Sequence, residues 1–375
     1  MKTPNTGPEL ADVHTKYMRR AIELARYGDG RTSPNPMVGC VLVRDGAIIG
    51  EGVHLGAGLD HAEVAAIRDA GDAKGATAYV TLEPCCHQGR TGPCTEAIIK
   101  AGIQSVYYAV ADPTSLAAGG AKHLESAGIE VIGGLCEYEA REMNRFWFFA
   151  EDNKRPFVVA KLAMSLDGRI ATASGESQWI TGRESRQSSH KLRKSVDAIL
   201  VGADTIVHDN PRLTARDRDG GDLEDVYQPI CVVIDSTGRT SPTSNVYREG
   251  TILATTDMIS PRAKAKFEDT GATVVVLPRG GDARVDIVAL LAALYGRGVK
   301  SMLVEGGSTV MGSFFDQSLV DEVWAYLALS LILGGKSKVA IGGEGPVKLD
   351  VAIRLDGVTT EHVGEELLVR GRIRR

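Results

Sequence analysis

A histidine, a glutamate and two cysteines stand in an order that suits metal-assisted hydrolysis. His61 and Glu63 lie two positions apart at the start of a predicted helix, Cys85 follows a predicted strand, and Cys94 begins the next predicted helix. Imidazole and thiolate are preferred zinc ligands, and three protein ligands leave a position for water, whose pKa the ion lowers to roughly 7. We therefore expect Zn²⁺ to be held by His61, Cys85 and Cys94. Glu63 would stay free and act as the catalytic proton carrier.

The spacing of these residues resembles the zinc deaminase pattern, in which H-x-E is followed by P-C-x-x-C. Here the segment 86–93 separates the two cysteines, so the usual short turn has become a longer loop. Cys86 would point away from its neighbour, and we interpret it as a packed bystander. A closed, purely structural zinc site would need a fourth ligand, for which Cys86 and His87 are the candidates.

Composition and charge exclude several classes of protein. The chain has 375 residues, 43% of them hydrophobic, and 43 Lys plus Arg against 48 Asp plus Glu, which gives a formal net charge of -5. This length favours two domains. A protein that binds nucleic acid usually has an excess or a stripe of basic residues, and the acidic balance of this chain offers none. We therefore expect small-molecule partners and no nucleic acid. Six cysteines in so long a chain are too sparse for a disulfide framework.

No apolar run reaches the roughly 18 residues of a membrane-spanning helix, so we expect no membrane partner. The longest run, 323–333, is rich in strand formers and is predicted to be a buried strand. The N-terminal segment has no apolar core of a signal peptide, which favours a cytoplasmic location.

Strands alternate with helices along the chain, which predicts α/β layers. In the first half we predict helices over 12–27, 61–70 and 94–101 and strands over 37–43, 47–52, 77–82 and 105–110. The first two strands are joined by Asp45-Gly46, a strong hairpin signal. Further strands are predicted over 157–162, 198–201, 230–234, 273–277 and 301–304, with a helix over 309–315. The polar stretch 150–155 places the domain boundary near residue 152, giving domains 1–152 and 153–375.

Longer motifs extend the resemblance over nearly the whole chain. In the first half these are T-S-P-N-P at 32–36, H-A-E-V at 61–64, and V-T-L-E-P-C through G-R-T to P-C at 80–94. In the second half they are K-L-A-M-S-L-D-G-R at 161–169, S-Q-W-I-T at 177–181, D-A-I-L-V-G at 197–202 and V-E-G-G at 304–307. Together they resemble the deaminase and reductase halves of the bifunctional riboflavin-biosynthesis family.

The resemblance implies a cytidine-deaminase-like α/β/α sandwich followed by a dihydrofolate-reductase-like α/β domain. It implies zinc-dependent hydrolytic deamination of 2,5-diamino-6-(5-phosphoribosylamino)pyrimidin-4(3H)-one. NADPH-dependent reduction of 5-amino-6-(5-phosphoribosylamino)uracil to the ribityl product would follow. The partners would be these pyrimidine ribotides, and the chain would form a homo-oligomer, either a dimer or a tetramer.

The resemblance also implies binding residues for each ligand. NADPH would contact Ala163, Ser177, Trp179, Thr205, Asp209, Gly306, Gly307 and Ser308. The ribotides would contact Asn35, His54, Arg90, Arg193, Arg216 and Glu305. The residues themselves add one argument, because a glycine-rich turn between a predicted strand and a helix offers backbone N–H groups to a phosphate. The usual dinucleotide motif G-x-G-x-x-G occurs nowhere in the sequence.

Two other classes of protein could use the same zinc motif. A nucleic-acid base editor must hold a phosphate backbone, which the acidic balance and the lack of Lys/Arg stripes disfavour. A regulatory binding protein with a structural zinc ion is disfavoured by the three-ligand count and by the free Glu63. The sequence therefore favours the bifunctional deaminase and reductase.

Overall fold

The computed structural model describes residues 8–88, 92–114, 119–217, 220–223 and 227–375. The chain divides into two compact units between Lys154 and Arg155. Each unit has its own main sheet, of five strands in the first unit and nine in the second. Within the described ranges, no helix combines the length and the apolar character needed to cross a lipid bilayer.

The first unit is an α/β/α sandwich. Its helices are α1 (Pro8–Ala25), α2 (Ala62–Ala70), α3 (Cys94–Lys100), α4 (Gly120–Ser126), α5 (Glu137–Met143) and α6 (Arg145–Asn153). Its strands are β1 (Gly39–Arg44), β2 (Ala47–Val53), β3 (Thr77–Leu82), β4 (Ser105–Val110) and β5 (Glu130–Gly133), in the order β2-β1-β3-β4-β5. One buried cluster packs α1, α5 and α6 on one face of the sheet, and a second packs α2, α3 and α4 on the other.

The predicted hairpin is present between β1 and β2, which pair antiparallel with Arg44 opposite Ala47. Asp45 and Gly46 have φ angles of 53° and 76°. Two successive residues in the left-handed conformation form a two-residue turn whose twist matches that of the flanking strands. Asp-Gly adopts this turn readily. The strands β3, β4 and β5 pair in parallel, and α3 and α4 connect them.

The second unit is built on a mixed sheet in the order β11-β10-β9-β8-β12-β6-β13-β16-β15. Its helices are α7 (Arg183–Lys194), α8 (Ala203–Asp209), α9 (Pro261–Glu268), α10 (Ile287–Tyr295) and α11 (Ser308–Asp316). Its strands are β6 (Phe157–Ser165), β7 (Arg169–Ala171), β8 (Ala198–Gly202), β9 (Ile230–Ile234), β10 (Ile252–Thr255), β11 (Thr273–Val276), β12 (Ser301–Val304), β13 (Glu322–Ala328), β14 (Lys338–Val339), β15 (Leu355–Val363) and β16 (Glu366–Ile373). The strands from β11 to β13 in this order run parallel, and β16 and β15 add an antiparallel edge.

The prediction of one buried strand over 323–333 is wrong in its second part. The strand β13 ends at Ala328, and Leu329, Leu331 and Leu333 beyond it are 66%, 60% and 62% exposed. The sequence pattern cannot reveal where the strand ends, because a continuous apolar run looks the same whether or not all of it is buried. β13 pairs with β6 as far as Ala328 and with β16 as far as Leu327, and its side chains Val323 and Ala325 belong to the buried core.

Candidate active sites

His61 and Glu63 are positioned by the start of α2. His61 is the N-cap residue of this helix, and Glu63 lies in its first turn. The helix packs closely on β2 because Gly52 has no side chain. A Cβ at Gly52 would lie 2.0 Å from the Ala62 carbonyl oxygen and 2.4 Å from the Ala66 nitrogen. The glycine therefore sets the position of both chemically important residues of this turn.

Cys85 and Cys94 meet His61 at one point. The His61 Nδ1 atom lies 3.0 Å from Cys94 Sγ and 3.5 Å from Cys85 Sγ, and the three ligand atoms all lie within 4.8 Å of one another. Zinc binds sulfur at about 2.3 Å and imidazole nitrogen at about 2.0 Å, so one ion can reach three atoms at these separations. The donor set of two sulfurs and one imidazole nitrogen fits zinc.

Cys85 and Cys94 influence the pKa values of one another. The hydrogen bond from the Cys94 thiol, together with His61, lowers the pKa of Cys85. The same hydrogen bond and burial raise the pKa of Cys94. The backbone N–H of Cys94 also points to Cys85 Sγ at 3.5 Å. One thiolate is thus already stabilised by the protein, which is the form in which cysteine binds a metal.

Glu63 is buried beside this cluster, with 4% of its surface exposed. Burial raises the pKa of its carboxyl group, and a hydrogen bond with Cys94 is a smaller, opposing influence. A carboxyl group whose pKa is raised towards the working pH both accepts and returns protons effectively. Among the described residues, the metal-ligating cluster consists of His61, Cys85 and Cys94, without Cys86 or His87. Glu63 is therefore close to the ligands but is not one of them.

Asn35 and His54 lie together next to this cluster. The Asn35 amide nitrogen is 3.1 Å from His54 Nε2, and His54 Nδ1 is 3.0 Å from the Asp60 carbonyl oxygen. The carbonyl requires a proton on Nδ1, which leaves Nε2 to accept from the amide. The rings of His54 and His61 are 5.4 Å apart. Arg90, predicted as a ribotide contact, lies outside the described residues.

A cavity of about 1310 Å³ opens in the second unit, partly at the carboxyl ends of β8, β9 and β12. This is the usual location of a ligand site on a sheet of parallel strands. Six of the eight predicted cofactor residues line this cavity: Ala163, Ser177, Thr205, Asp209, Gly307 and Ser308. Glu305, predicted as a ribotide contact, lines it too.

Two of the predicted cofactor residues are not on the cavity wall. Trp179 is 70% exposed, with the Arg186 guanidinium 4.3 Å from its ring centroid. Gly306 packs against the adjacent strand, where an added Cβ would lie 2.7 Å from Val201 Cβ. Gly306 therefore allows the turn to approach β8, and Gly307 and Ser308 face the cavity.

Glu305 sits among several basic side chains. Arg193 donates to it from Nε at 2.7 Å and from Nη2 at 2.6 Å, although Arg193 itself does not line the cavity. Burial alone would raise the pKa of Glu305, but Arg193, Lys161 and His190 lower it to about 2. The pKa of His190 is lowered to about 4 by burial and by Arg193 and Arg216.

This basic cluster has unused hydrogen-bonding capacity. His190 Nδ1 and Arg216 Nε are buried and have no hydrogen-bond partner among the described residues. Burial, followed by the neighbouring arginines, also lowers the pKa of Arg216. Buried polar atoms without partners are rare and call for a ligand or water. Asp222 also faces Arg216, but Asp222 is paired with Arg212, so positive charge stays in excess and an anionic group is the ligand that fits.

Comparison with known proteins assigns the family. Riboflavin biosynthesis protein RibD of Actinobacillus pleuropneumoniae is 42% identical over 361 residues, which cover 94% of this chain and 93% of the relative. The chain belongs to the RibD family. Residues 156–369 match the family described as RibD C-terminal domain, and residues 11–110 match the cytidine and deoxycytidylate deaminase zinc-binding region.

Solved structures of RibD proteins have the same fold. RibD of Acinetobacter baumannii superimposes with a TM-score of 0.89 at 36% identity, covering 97% of this chain and 100% of the other. The diaminohydroxyphosphoribosylaminopyrimidine deaminase/5-amino-6-(5-phosphoribosylamino)uracil reductase of Thermotoga maritima gives 0.83 at 35% identity, covering 97% and 99%. These findings confirm the predicted fold class, a cytidine-deaminase-like α/β/α sandwich followed by a dihydrofolate-reductase-like α/β domain, which is the RibD reductase domain.

The sequence analysis missed three polar residues of this RibD-family chain. Glu83 is buried, and its carboxylate accepts hydrogen bonds from the backbone N–H groups of Gly119 at 3.2 Å and Ala121 at 3.0 Å, so it fixes the start of α4. Lys161 lines the cavity and His190 belongs to the basic cluster. Lys161 had a visible signal, since it is the one charged residue of strand β6, whose other residues are apolar except for the terminal Ser165. His190 had none in the basic, polar α7.

Proposed function

We propose that this chain carries out two steps of riboflavin biosynthesis. The first is deamination of 2,5-diamino-6-(5-phosphoribosylamino)pyrimidin-4(3H)-one, and the second is NADPH-dependent reduction of the resulting 5-amino-6-(5-phosphoribosylamino)uracil to the ribityl compound. We assign deamination to domain 1–152 and reduction to domain 153–375. Two compact units that divide between Lys154 and Arg155 support this assignment.

In the deaminase half, His61, Cys85 and Cys94 would hold the zinc ion. When bound, zinc lowers the pKa of water and so supplies a nucleophile at neutral pH. Asn35 would hydrogen-bond the pyrimidine through its amide, whose nitrogen His54 fixes at 3.1 Å. Because Asn35 and His54 already hold each other in place, little conformational entropy of these side chains is lost when they orient the pyrimidine ring.

Glu63 would move the protons of the reaction. Its carboxylate accepts a proton from the attacking water and delivers it to the ring nitrogen beside the attacked carbon. It would then take the remaining proton from the added hydroxyl group, whose oxygen becomes the ring carbonyl, and pass that proton to the amino group, which leaves as ammonia. Burial raises the pKa of Glu63, which favours the return of the protons that it accepts.

In the reductase half, the cavity would hold NADPH with its phosphates near Gly307 and Ser308. The backbone N–H groups at the start of α11 suit a phosphate there. The basic cluster around Glu305 would take the ribotide phosphate, through Arg193 and Arg216 and the missed His190. Hydride transfer requires orientation of nicotinamide against the acceptor carbon and no protein nucleophile. Lys161 lines the same cavity and interacts electrostatically with Glu305.

We further propose that the chain works in the cytoplasm as a homo-oligomer. Sedimentation velocity of the purified chain tests the assembly. A species of twice or four times the chain mass is expected, and sedimentation as single chains at micromolar concentration would contradict it.

The observation that carries the proposal is the cluster of His61, Cys85 and Cys94 with buried Glu63 beside it. Substitution of Glu63 by Gln tests it, because the amide keeps the shape but cannot accept a proton. Ammonia release should fall by a factor of about 10²–10⁴, the usual contribution of general acid–base catalysis. Zinc content and reduction of the supplied uracil ribotide should persist. The control is Glu96→Gln, which alters a carboxylate on α3 that pairs with His123 on the surface. Ammonia release that survives in Glu63→Gln would reject this role.

A further inference from the structure

One wall of the reductase cavity is formed by a segment that has little structure of its own. The segment 330–340, called here the wall segment, follows β13 and contains only the short strand β14. Ser337, Lys338 and Val339 from this segment line the cavity. Arg169 and Ile170, which follow the turn after β6, line it too. The shape of this wall therefore depends on how the wall segment is attached to that turn.

Apolar burial does not attach the beginning of the wall segment. Leu331 and Leu333 are 60% and 62% exposed. Burial of a leucine side chain stabilises a fold, and these two side chains forgo most of that contribution. Polar contacts must hold this stretch instead.

Asp167 supplies the polar contacts at this point. Its Oδ1 atom accepts from Ser165 Oγ at 2.6 Å and from the Ile332 N–H at 3.1 Å. Its Oδ2 atom accepts from the Leu333 N–H at 3.0 Å. The Ser165 hydroxyl and these backbone N–H groups lower the pKa of Asp167 to about 2, so the carboxylate is ionised at neutral pH. Both of its oxygens thus bind the wall segment.

Further hydrogen bonds continue the attachment along the segment. Leu166 N–H donates to the Ser330 carbonyl at 2.9 Å, and Ala340 N–H donates to the Gly168 carbonyl at 3.0 Å. Arg169 Nη1 donates to the Ser337 carbonyl at 3.1 Å. Most of these are bonds between backbone groups and survive any side-chain substitution. Asp167 is the side chain that clamps two consecutive backbone N–H groups of the segment.

We propose that Asp167 is a positioning residue for the nicotinamide dinucleotide: it holds the wall segment in the shape that completes the cofactor cavity. Asp167 does not itself line the cavity, so it acts through Ser337, Lys338 and Val339. This inference rests on the proposed reductase function. It predicts that loss of the carboxylate weakens cofactor binding and leaves the hydride-transfer step nearly unchanged.

Asp167→Asn in the full chain tests the proposal, because the amide keeps the size but has one acceptor atom instead of two. Hydrogen–deuterium exchange should become faster in peptides covering 330–340. The KM for NADPH should rise by about tenfold, the loss expected for a hydrogen bond to a charged group, whereas kcat should change by less than about twofold. Asp167→Glu should recover part of the affinity. The matched control is Asp356→Asn, which removes an exposed ion pair with Arg374 in the same unit.

The outcomes separate this inference from the function on which it rests. Faster exchange with an unchanged KM would show that Asp167 is only a structural turn residue and would overturn the proposal. Unchanged exchange and KM would overturn it as well. If Asp167→Asn fails to fold, Ser165→Ala replaces it, because this variant removes one hydrogen-bond donor to the carboxylate. It should give smaller changes of the same kind in exchange and in KM. Unchanged exchange and KM in Ser165→Ala would overturn the proposal. A wild-type chain that does not oxidise NADPH at all would reject the reductase function itself.

Discussion

Arg193 holds the carboxylate of Glu305 through two parallel hydrogen bonds, of 2.7 Å and 2.6 Å. The side chains are 13% and 8% exposed, so the pair is almost completely removed from water. A buried carboxylate remains ionised only when such partners compensate for its lost hydration. This pair therefore links the stability of the second unit to the charge of the proposed ribotide site.

The pair predicts a specific dependence of stability on pH. The pKa of Glu305, about 2 in the fold, lies below its value of about 4.3 in an unfolded chain. Its contribution to the free energy of unfolding is therefore fully present above about pH 4.3 and is lost as the pH falls from there towards about 2. Glu305→Gln should cost about 3–5 kcal/mol at pH 7, because it leaves Arg193 buried without its partner. Urea unfolding of the wild-type chain and of Glu305→Gln between pH 7 and 3 measures the difference in their free energies of unfolding. This difference should shrink below pH 4.3. A difference that grows with acidity would contradict this assignment.

Cys94→Ser should separate the two activities. Serine is a poor zinc ligand at neutral pH, so bound zinc and ammonia release should be lost together. NADPH oxidation with the deaminated ribotide should remain measurable, because the residues of the reductase cavity lie in the other unit. Cys86→Ser is the matched control, since Cys86 lies outside the ligand cluster, and it should retain zinc. Loss of both activities in Cys94→Ser would show that the halves do not function separately.

His54 should affect binding of the pyrimidine more than binding of the metal. His54→Ala removes the acceptor that fixes the Asn35 amide at 3.1 Å. The deaminase KM should rise by about tenfold, the effect of one lost hydrogen bond worth roughly 1.4 kcal/mol, with zinc content unchanged. Metal analysis and steady-state kinetics of ammonia release measure the two quantities. His123→Ala, on the surface of the same unit, should alter neither. An unchanged KM in His54→Ala would remove this positioning role.

Gly52→Ala should damage the deaminase site from a position outside it. The added methyl group would lie 2.0 Å from the Ala62 carbonyl oxygen, so α2 must move, and His61 and Glu63 with it. Overpacking of this kind costs about 1–3 kcal/mol. Lower thermal stability of the first unit and slower ammonia release should result. Gly92→Ala, where an added Cβ meets no atom of the described residues within 4 Å, should leave both at the wild-type values. Normal ammonia release by Gly52→Ala would show that the helix tolerates the shift.

Residue chemistry and spacing predict the parts of this protein that depend on local sequence. The order of His61, Glu63, Cys85 and Cys94 was sufficient to propose that they meet, because strand ends and helix starts converge at one edge of a parallel sheet. The Asp45-Gly46 hairpin was equally predictable, since that dipeptide favours the left-handed turn. The RibD fold class followed from motifs in both halves and is confirmed by the comparisons.

Features that depend on tertiary neighbours were not predictable in the same way. Leu331 and Leu333 are exposed because the chain leaves the sheet after Ala328, where the pairing of β13 with its neighbours ends. The basic cluster joins Lys161 and His190 to Glu305 from distant positions in the chain, and spacing carries no information about such a meeting. The same holds for Asp167, whose partners Ile332 and Leu333 lie far along the sequence.

The most direct test of the central claim is incubation of purified, zinc-analysed chain with the diaminopyrimidinone ribotide, with and without NADPH. Ammonia and the absorbance of reduced nicotinamide are followed together. The account predicts one zinc ion per chain, ammonia release that does not require NADPH, and NADPH oxidation that begins only as the deaminated ribotide accumulates. Ammonia release by chain from which all metal has been removed would contradict it.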